Sequence, residues 1–277
     1  MRALATLTLP AFDPDLLAAV PPTLARLTLQ ADTLPFAFFD SFLAQRPQIV
    51  HLALPNFVGV PPGPGEVPPT AVPHLARLDA SPGLATVLAP GRPVRRVTLR
   101  VASTLYDGLR PAALFDAVGS QLRELVLVLA PDVDARTRGR LLGALAKTAE
   151  GLEVLELRIE GKSDEVRARV FTCLIAALTP VWHLCGPVGW WWVRWVLSFQ
   201  VVLQALYKQV GTLLPNVRAL RTLRLRAVRT ATAAESEEGP SRLAVWTRPR
   251  EGLALRCMVF PSGARWDLEH GNWLRVN

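Results

Sequence analysis

Apolar and polar residues recur along this chain in one phrase, Leu-x-x-Leu-x-Leu. Clear copies start at Leu4 (LATLTL), Leu24 (LARLTL), Leu122 (LRELVL), Leu152 (LEVLEL) and Leu220 (LRTLRL). Looser ones start at Ile49 (IVHLAL), Leu75 (LARLDA) and Val94 (VRRVTL). The alternation that ends each phrase predicts a short strand. Between phrases the spacing turns helical. Residues 137–149 bring Leu141, Leu142 and Leu145 onto one face, and residues 109–118 repeat the pattern, with Pro111 acceptable in a first helical turn. The unit is therefore strand, turn, helix, turn.

Counted from the first residue of each phrase, the spacings run 20, 25, 26, 19, 28, 30 and then 68 residues. A period of this size marks units too small to bury a core alone, which must stack on their neighbours. The expected fold class is α/β, an irregular solenoid with parallel β-strands on the concave face and helices on the convex face. In each strand the leucines point into the core and the residues between them face the open side. That stripe holds Arg26, Thr28, Arg77, Asp79, Arg96, Thr98 and Arg100, then Glu124, Val126, Val128, Val154, Glu156 and Arg158, then Thr222, Arg224 and Arg226. Repeat proteins bind partners on such a face. The expected partner-binding residues are Arg26, Arg77, Arg96, Arg100, Glu124, Glu156, Arg158, Arg224 and Arg226.

Half of the residues are hydrophobic but only 7% are aromatic, so an aliphatic core is expected. The formal charge is +8. The cations are mostly arginines scattered through the phrases, with two lysines before residue 208 and no basic run, so nucleic acid is not the expected partner. Three cysteines (Cys173, Cys185, Cys257) make no disulfide framework and point to a reducing compartment. His183 lies between the first two, but the spacing fits no zinc site. No secretory leader is indicated at MRALATLTLPAF. The expected location is cytoplasmic or nuclear, with the membrane as the alternative.

Nothing in the sequence supports catalysis. His51, His74, His183 and His270 lie far apart and none sits in a recognisable motif. Asp267, Glu269 and His270 are neighbours in sequence without an identifiable nucleophile. No catalytic residue, metal ligand or cofactor motif is identified, and the expectation is that the protein is not an enzyme.

Residues 55–73 are rich in Pro and Gly and are expected to form a surface loop, with a polyproline ligand as the functional alternative. Residues 230–241 are polar and acidic and read as a flexible loop. In the tail, a strand-like LALRCMVF precedes Trp266, Leu268 and Trp273, which are expected to cover the end of the last repeat.

Three segments carry a family resemblance: IVHLALPNFVG (49–59), the run from PGRPVRRVTLR (90–100) through LRELVLVL (122–129) to LEVLELRI (152–159), and VFPSGARWDLEHGNW (259–273). On these the chain resembles the leucine-rich-repeat part of fungal F-box proteins. The resemblance implies a leucine-rich-repeat-like solenoid that recruits a target protein for ubiquitination. In that family an N-terminal F-box docks on a ligase adaptor. Residues 1–45 already carry two strand phrases, and no separate three-helix F-box segment is seen. The chain is then either a repeat-only relative or lacks an upstream exon, and a ligase adaptor is an expected partner only in the second case.

Residues 170–193 (VFTCLIAALTPVWHLCGPVGWWWV) contain no Asp, Glu, Lys or Arg and are long enough to cross a bilayer. A single span would place the Leu152 and Leu220 phrases on opposite sides of the membrane and part their strands. Removing residues 166–200 shortens the gap of 68 to 33, close to the 28 and 30 upstream. Val166-Arg167 and Ser198-Phe199-Gln200 are also compatible with splice-site codons. Translation of a retained intron, a native insertion and a membrane span are the three readings, and the first is preferred. The expected organisation is a solenoid at 1–165, a hydrophobic insert at 166–200, and the last repeat with its cap at 201–277. A membrane protein held by residues 170–193 is the alternative to an interaction module.

Overall fold

Each of the eight phrases forms a strand, and the strands pair in the order in which they occur. The computed structural model describes residues 5–63, 65–102, 115–116, 121–130, 133–148, 150–159, 206–227, 254–260, 263–270 and 272–276. The phrases become β1 (Thr6–Leu9), β2 (Arg26–Leu29), β3 (His51–Ala53), β4 (Arg77–Ala80), β5 (Arg96–Val101), β6 (Glu124–Leu129), β7 (Val154–Ile159) and β8 (Thr222–Ala227). The tail adds β9 (Cys257–Val259), β10 (Arg265–Glu269) and β11 (Asn272–Val276). Among the described residues these make one eleven-stranded sheet in sequential order. Pairing is parallel from β1 to β9 and antiparallel from β9 to β11. The protein is thus α/β, with a mostly parallel sheet and few helices.

One backbone contact recurs at the entry of each strand from β2 to β9. The carbonyl of the second phrase residue accepts two N–H groups, from the second and third residues of the next phrase. Ala5 receives Ala25 (3.1 Å) and Arg26 (2.9 Å), Ala25 receives Val50 and His51, Val50 receives Ala76 and Arg77, and Ala76 receives Arg95 and Arg96. The relay continues through Arg95, Arg123, Glu153 and Arg221 to the entry of β9. It sets the register of each strand on the one before.

The leucines lie in rows beneath the sheet. Leu27, Leu52, Leu78, Val97, Leu125, Leu155, Leu223 and Met258 are consecutive register partners and all are buried. The first residues of the phrases, from Leu24 and Ile49 to Leu152 and Leu220, are buried as well. The core is not wholly aliphatic, however. Phe12, Phe38, Phe39, Phe42 and Phe57 contact one another edge-on or stacked, filling the space beside the first three strands.

The connections vary. Residues Pro14–Ala18 form α1, whose start is capped by Asp13 accepting from the Asp15 and Leu16 N–H groups. Phe38–Phe42 forms a single wide turn closed by Leu43 N–H on the Phe38 carbonyl. α2 is Pro82–Leu88 and α3 is Ala135–Thr148. α3 covers most of the helix expected at 137–149, and Leu141, Leu142 and Leu145 are buried as its spacing requires. Residues 206–213 are helical. Between β3 and β4 there is no helix in the described residues, because the prolines of 55–73 remove the donors a helix needs. The helix expected at 109–118 and the loop at 230–241 lie largely or wholly outside the described residues, as do residues 166–200. Among the described residues no helix is long and apolar enough to cross a membrane.

Three buried arginines clasp these connections. Arg92 donates to the carbonyls of Ala71 (2.9 Å), Leu88 (2.7 Å) and Pro68 (2.7 Å), tying the proline-rich loop to the end of α2. Burial pulls its guanidinium down to about 10, so it stays charged at neutral pH. Arg46 donates to the carbonyls of Leu17 and Val20 at the end of α1 and lies 4.0 Å over the Phe42 ring. Arg138 donates to Val133 ahead of α3.

In the tail, Trp266 and Trp273 are partly buried against the core, as a covering role requires. They do so as strand residues of the β10–β11 hairpin.

Candidate functional site

The sheet face opposite the leucines is written by the third and fifth residues of each phrase. Strand pairing sets the third residues side by side: Thr6, Arg26, His51, Arg77, Arg96, Glu124, Val154, Thr222 and Cys257. The fifth residues make a second row: Thr8, Thr28, Ala53, Asp79, Thr98, Val126, Glu156, Arg224 and Val259. A third row, on the longer strands, runs Arg100, Val128, Arg158 and Arg226. All nine residues expected to bind a partner stand on this one face.

Their environments differ. Arg26 and Arg77 are exposed and, among the described residues, form no ion pair. Arg96 contacts Glu124 at 3.3 Å on the next strand. Arg100 reaches back to Asp79, its Nε donating to Oδ1 at 3.2 Å and its Nη2 to Oδ2 at 3.4 Å. At the far end a single carboxylate gathers three arginines. Glu156 Oε1 accepts from Arg158 Nε at 2.7 Å and lies 2.9 Å from Arg226 Nε, and its Oε2 lies 3.7 Å from Arg224.

Glu156 corrects the expectation that it meets a partner directly. Only 3% of its side chain is exposed, so it organises the arginines above it and presents no surface of its own. Val126 and Val128 are likewise buried although they share the open face. They are flanked in register by Thr98 and Glu156, and by Arg100 and Arg158. Long arginine stems can shelter apolar neighbours while their charged ends stay wet.

Two features of the face were not among the expected site residues. His51 occupies the third position of its phrase, between Arg26 and Arg77. Burial first, then the charges of Arg77 and Arg26, hold its imidazole below the ordinary histidine range, and Asp79 opposes them. The second phrase position adds a basic edge, since Arg95, Arg123, Arg221 and Arg256 enter successive strands around Glu153 and all four are exposed. Arg123 contacts Glu153 at 4.0 Å and donates to the Gly151 carbonyl. Both rows could have been found by aligning the phrases and reading down each position.

Elsewhere, Cys257 sits beside Asp267, and burial raises its thiol further from the thiolate that a nucleophile needs. Among the described residues no three His, Cys, Asp or Glu side chains gather as metal ligands. In comparisons with known proteins, no family model matches the chain and no curated protein matches it in sequence.

Proposed function

We propose that this chain is a non-catalytic interaction module, a leucine-rich-repeat-like solenoid whose concave sheet face binds a protein partner. One observation carries the reading. Every third and fifth phrase residue from β2 to β8 falls on one continuous face, which carries Arg96, Arg100 and Arg224 half-exposed beside neighbouring carboxylates and Arg26 and Arg77 exposed with no ion pair among the described residues. Fixed, partly desolvated guanidiniums on a rigid sheet recognise a surface at little ordering cost. The resemblance to the repeats of F-box proteins supports a target-recruiting role, with a ligase adaptor engaged only through an upstream F-box. The protein works in the cytoplasm or nucleus.

Site-directed photo-crosslinking tests the face. A photoreactive residue replacing Thr98 should capture the cellular partner, and one replacing Arg140, exposed on α3, should not. Reversing Arg96, Arg100 and Arg224 together to Glu should abolish capture from Thr98 with the circular dichroism unchanged. Capture from Arg140 alone, or capture indifferent to the reversal, overturns the assignment.

The charge-free run at 170–193 supports a second reading, a protein anchored in a membrane by that segment. Carbonate extraction separates the two: release into the soluble fraction favours the module, retention with the membranes favours the anchor.

A further inference from the structure

Parallel pairing places Arg26, His51, Arg77 and Arg96 directly beside one another on β2 to β5. Strands lie about 4.8 Å apart, so the row spans roughly 15 Å. Like charges side by side in register weaken a sheet. The far half of the face answers its own arginines with Glu156. The near half answers only Arg96 and Arg100 among the described residues. Asp79 is already held at two points by Arg100. Among the described residues Glu124 reaches Arg96 alone, and a half-exposed pair of that kind is worth less than about 1 kcal/mol, so it yields easily to a competing anion. Arg26 and Arg77 are left without a counter-charge among the described residues.

We propose that the row Arg26, His51, Arg77 and Arg96 is the docking row for an acidic segment of the protein partner, laid across β2 to β5 with its carboxylates on Arg26 and Arg77. This rests on the reading of the sheet face as the binding surface and names the chemistry that its near half takes. The adjoining row, Thr8, Thr28, Ala53, Asp79 and Thr98, offers small or hydroxyl side chains at every position but Asp79, whose carboxylate is taken up by Arg100, so a peptide backbone has room beside the guanidiniums. His51 is half-buried between the two unmatched arginines, where a neutral imidazole gives a bound carboxylate a hydrogen bond without adding repulsion. Arg26 and Arg77 are two strands apart, roughly 10 Å, which an extended peptide covers in about three residues. The segment therefore carries acidic residues two or three positions apart. Single-stranded nucleic acid fits less well, because the two rows carry a single aromatic ring, the half-buried His51 imidazole, where a run of bases needs several to stack on.

The test uses the full chain and a short fluorescein-labelled peptide of alternating Glu and Gly, read by fluorescence anisotropy at low and moderate salt. The Glu peptide should bind and its Gln counterpart should not. Arg26→Glu combined with Arg77→Glu should weaken binding about tenfold or more, the loss expected for two charge-assisted contacts. Arg26→Lys with Arg77→Lys should restore part of it, and Arg140→Glu with Lys147→Glu, both exposed on α3, should leave it nearly unchanged. Equal binding by the near-half reversal overturns the proposal, as does tighter binding of an oligodeoxythymidine of matched charge. If the peptide fails while Thr98 still captures the partner, this inference falls and the functional reading stands. If Thr98 captures nothing, the functional reading falls with it.

Discussion

Glu156 holds Arg158 at 2.7 Å from a position almost closed to water, and the same carboxylate serves Arg226 and Arg224 on the next strand. The cluster has one negative charge beneath three positive ones, so its stability depends on that charge. Glu156→Ala should lower the unfolding free energy by about 3 kcal/mol, because it leaves three arginines crowded without a partner. Glu156→Gln should cost less, since the amide oxygen still accepts. Urea denaturation of both variants checks the ordering, and equal stability of Ala and Glu at this position would remove the organising role.

Arg92 acts on the opposite side of the chain's economy of polar groups, where carbonyls have no strand to receive them. Arg92→Leu keeps the volume apolar but strips donors from Ala71, Leu88 and Pro68. A loss of about 2–4 kcal/mol is expected. Hydrogen exchange should show the loss concentrated in residues 65–93. A uniform change across the sheet would mean that the clasp is not local.

Leu155 lies in the middle of the leucine row and is fully buried. Leu155→Ala should cost about 2–5 kcal/mol. Leu155→Asp should prevent folding, since the carboxylate would have no partner in an aliphatic row. Soluble, cooperatively melting Leu155→Asp protein would contradict the shared core.

His51 should make stability fall in mild acid. Its folded imidazole titrates below the ordinary value of 6.5. Above that value both states are neutral and the residue contributes nothing to the pH dependence. As pH falls through it, the unfolded chain takes up the proton first and stability drops, until the folded imidazole is protonated too. His51→Gln should flatten this part of the curve relative to the parent chain. Parallel curves for the two would show that burial and the charges of Arg77 and Arg26 do not hold the imidazole down.

The retained-intron reading of residues 166–200 predicts that the major mature transcript skips those codons. Sequencing complementary DNA across codons 160–205 decides it, and a major message that keeps them rules the reading out.

The sheet was readable from the phrase alone, because first and fourth positions are apolar in every copy and the structure buries nearly all of them. The face was readable in outline for the same reason: alternation assigns a residue to one side. It does not say what crosses over that residue. Glu156 reads along the chain as a surface contact because two of the arginines that enclose it come from β8, across the longest gap in the sequence. His51 looked solitary along the chain and gains its meaning only beside Arg26 and Arg77. Arg46, Arg92 and Arg138 carry no pattern at all, since their partners are backbone carbonyls whose positions exist only after the turns have formed.

The double N–H contact at the entries of β2 to β9 separates two things that most folds keep joined. Connection length varies freely here, from a one-turn helix to a proline-rich loop, while the alignment of the next strand is reset each time by a single carbonyl. One letter per unit therefore writes one column of the outer surface. Exchanging third-position letters alone would redraw the proposed binding row and leave the leucine rows untouched.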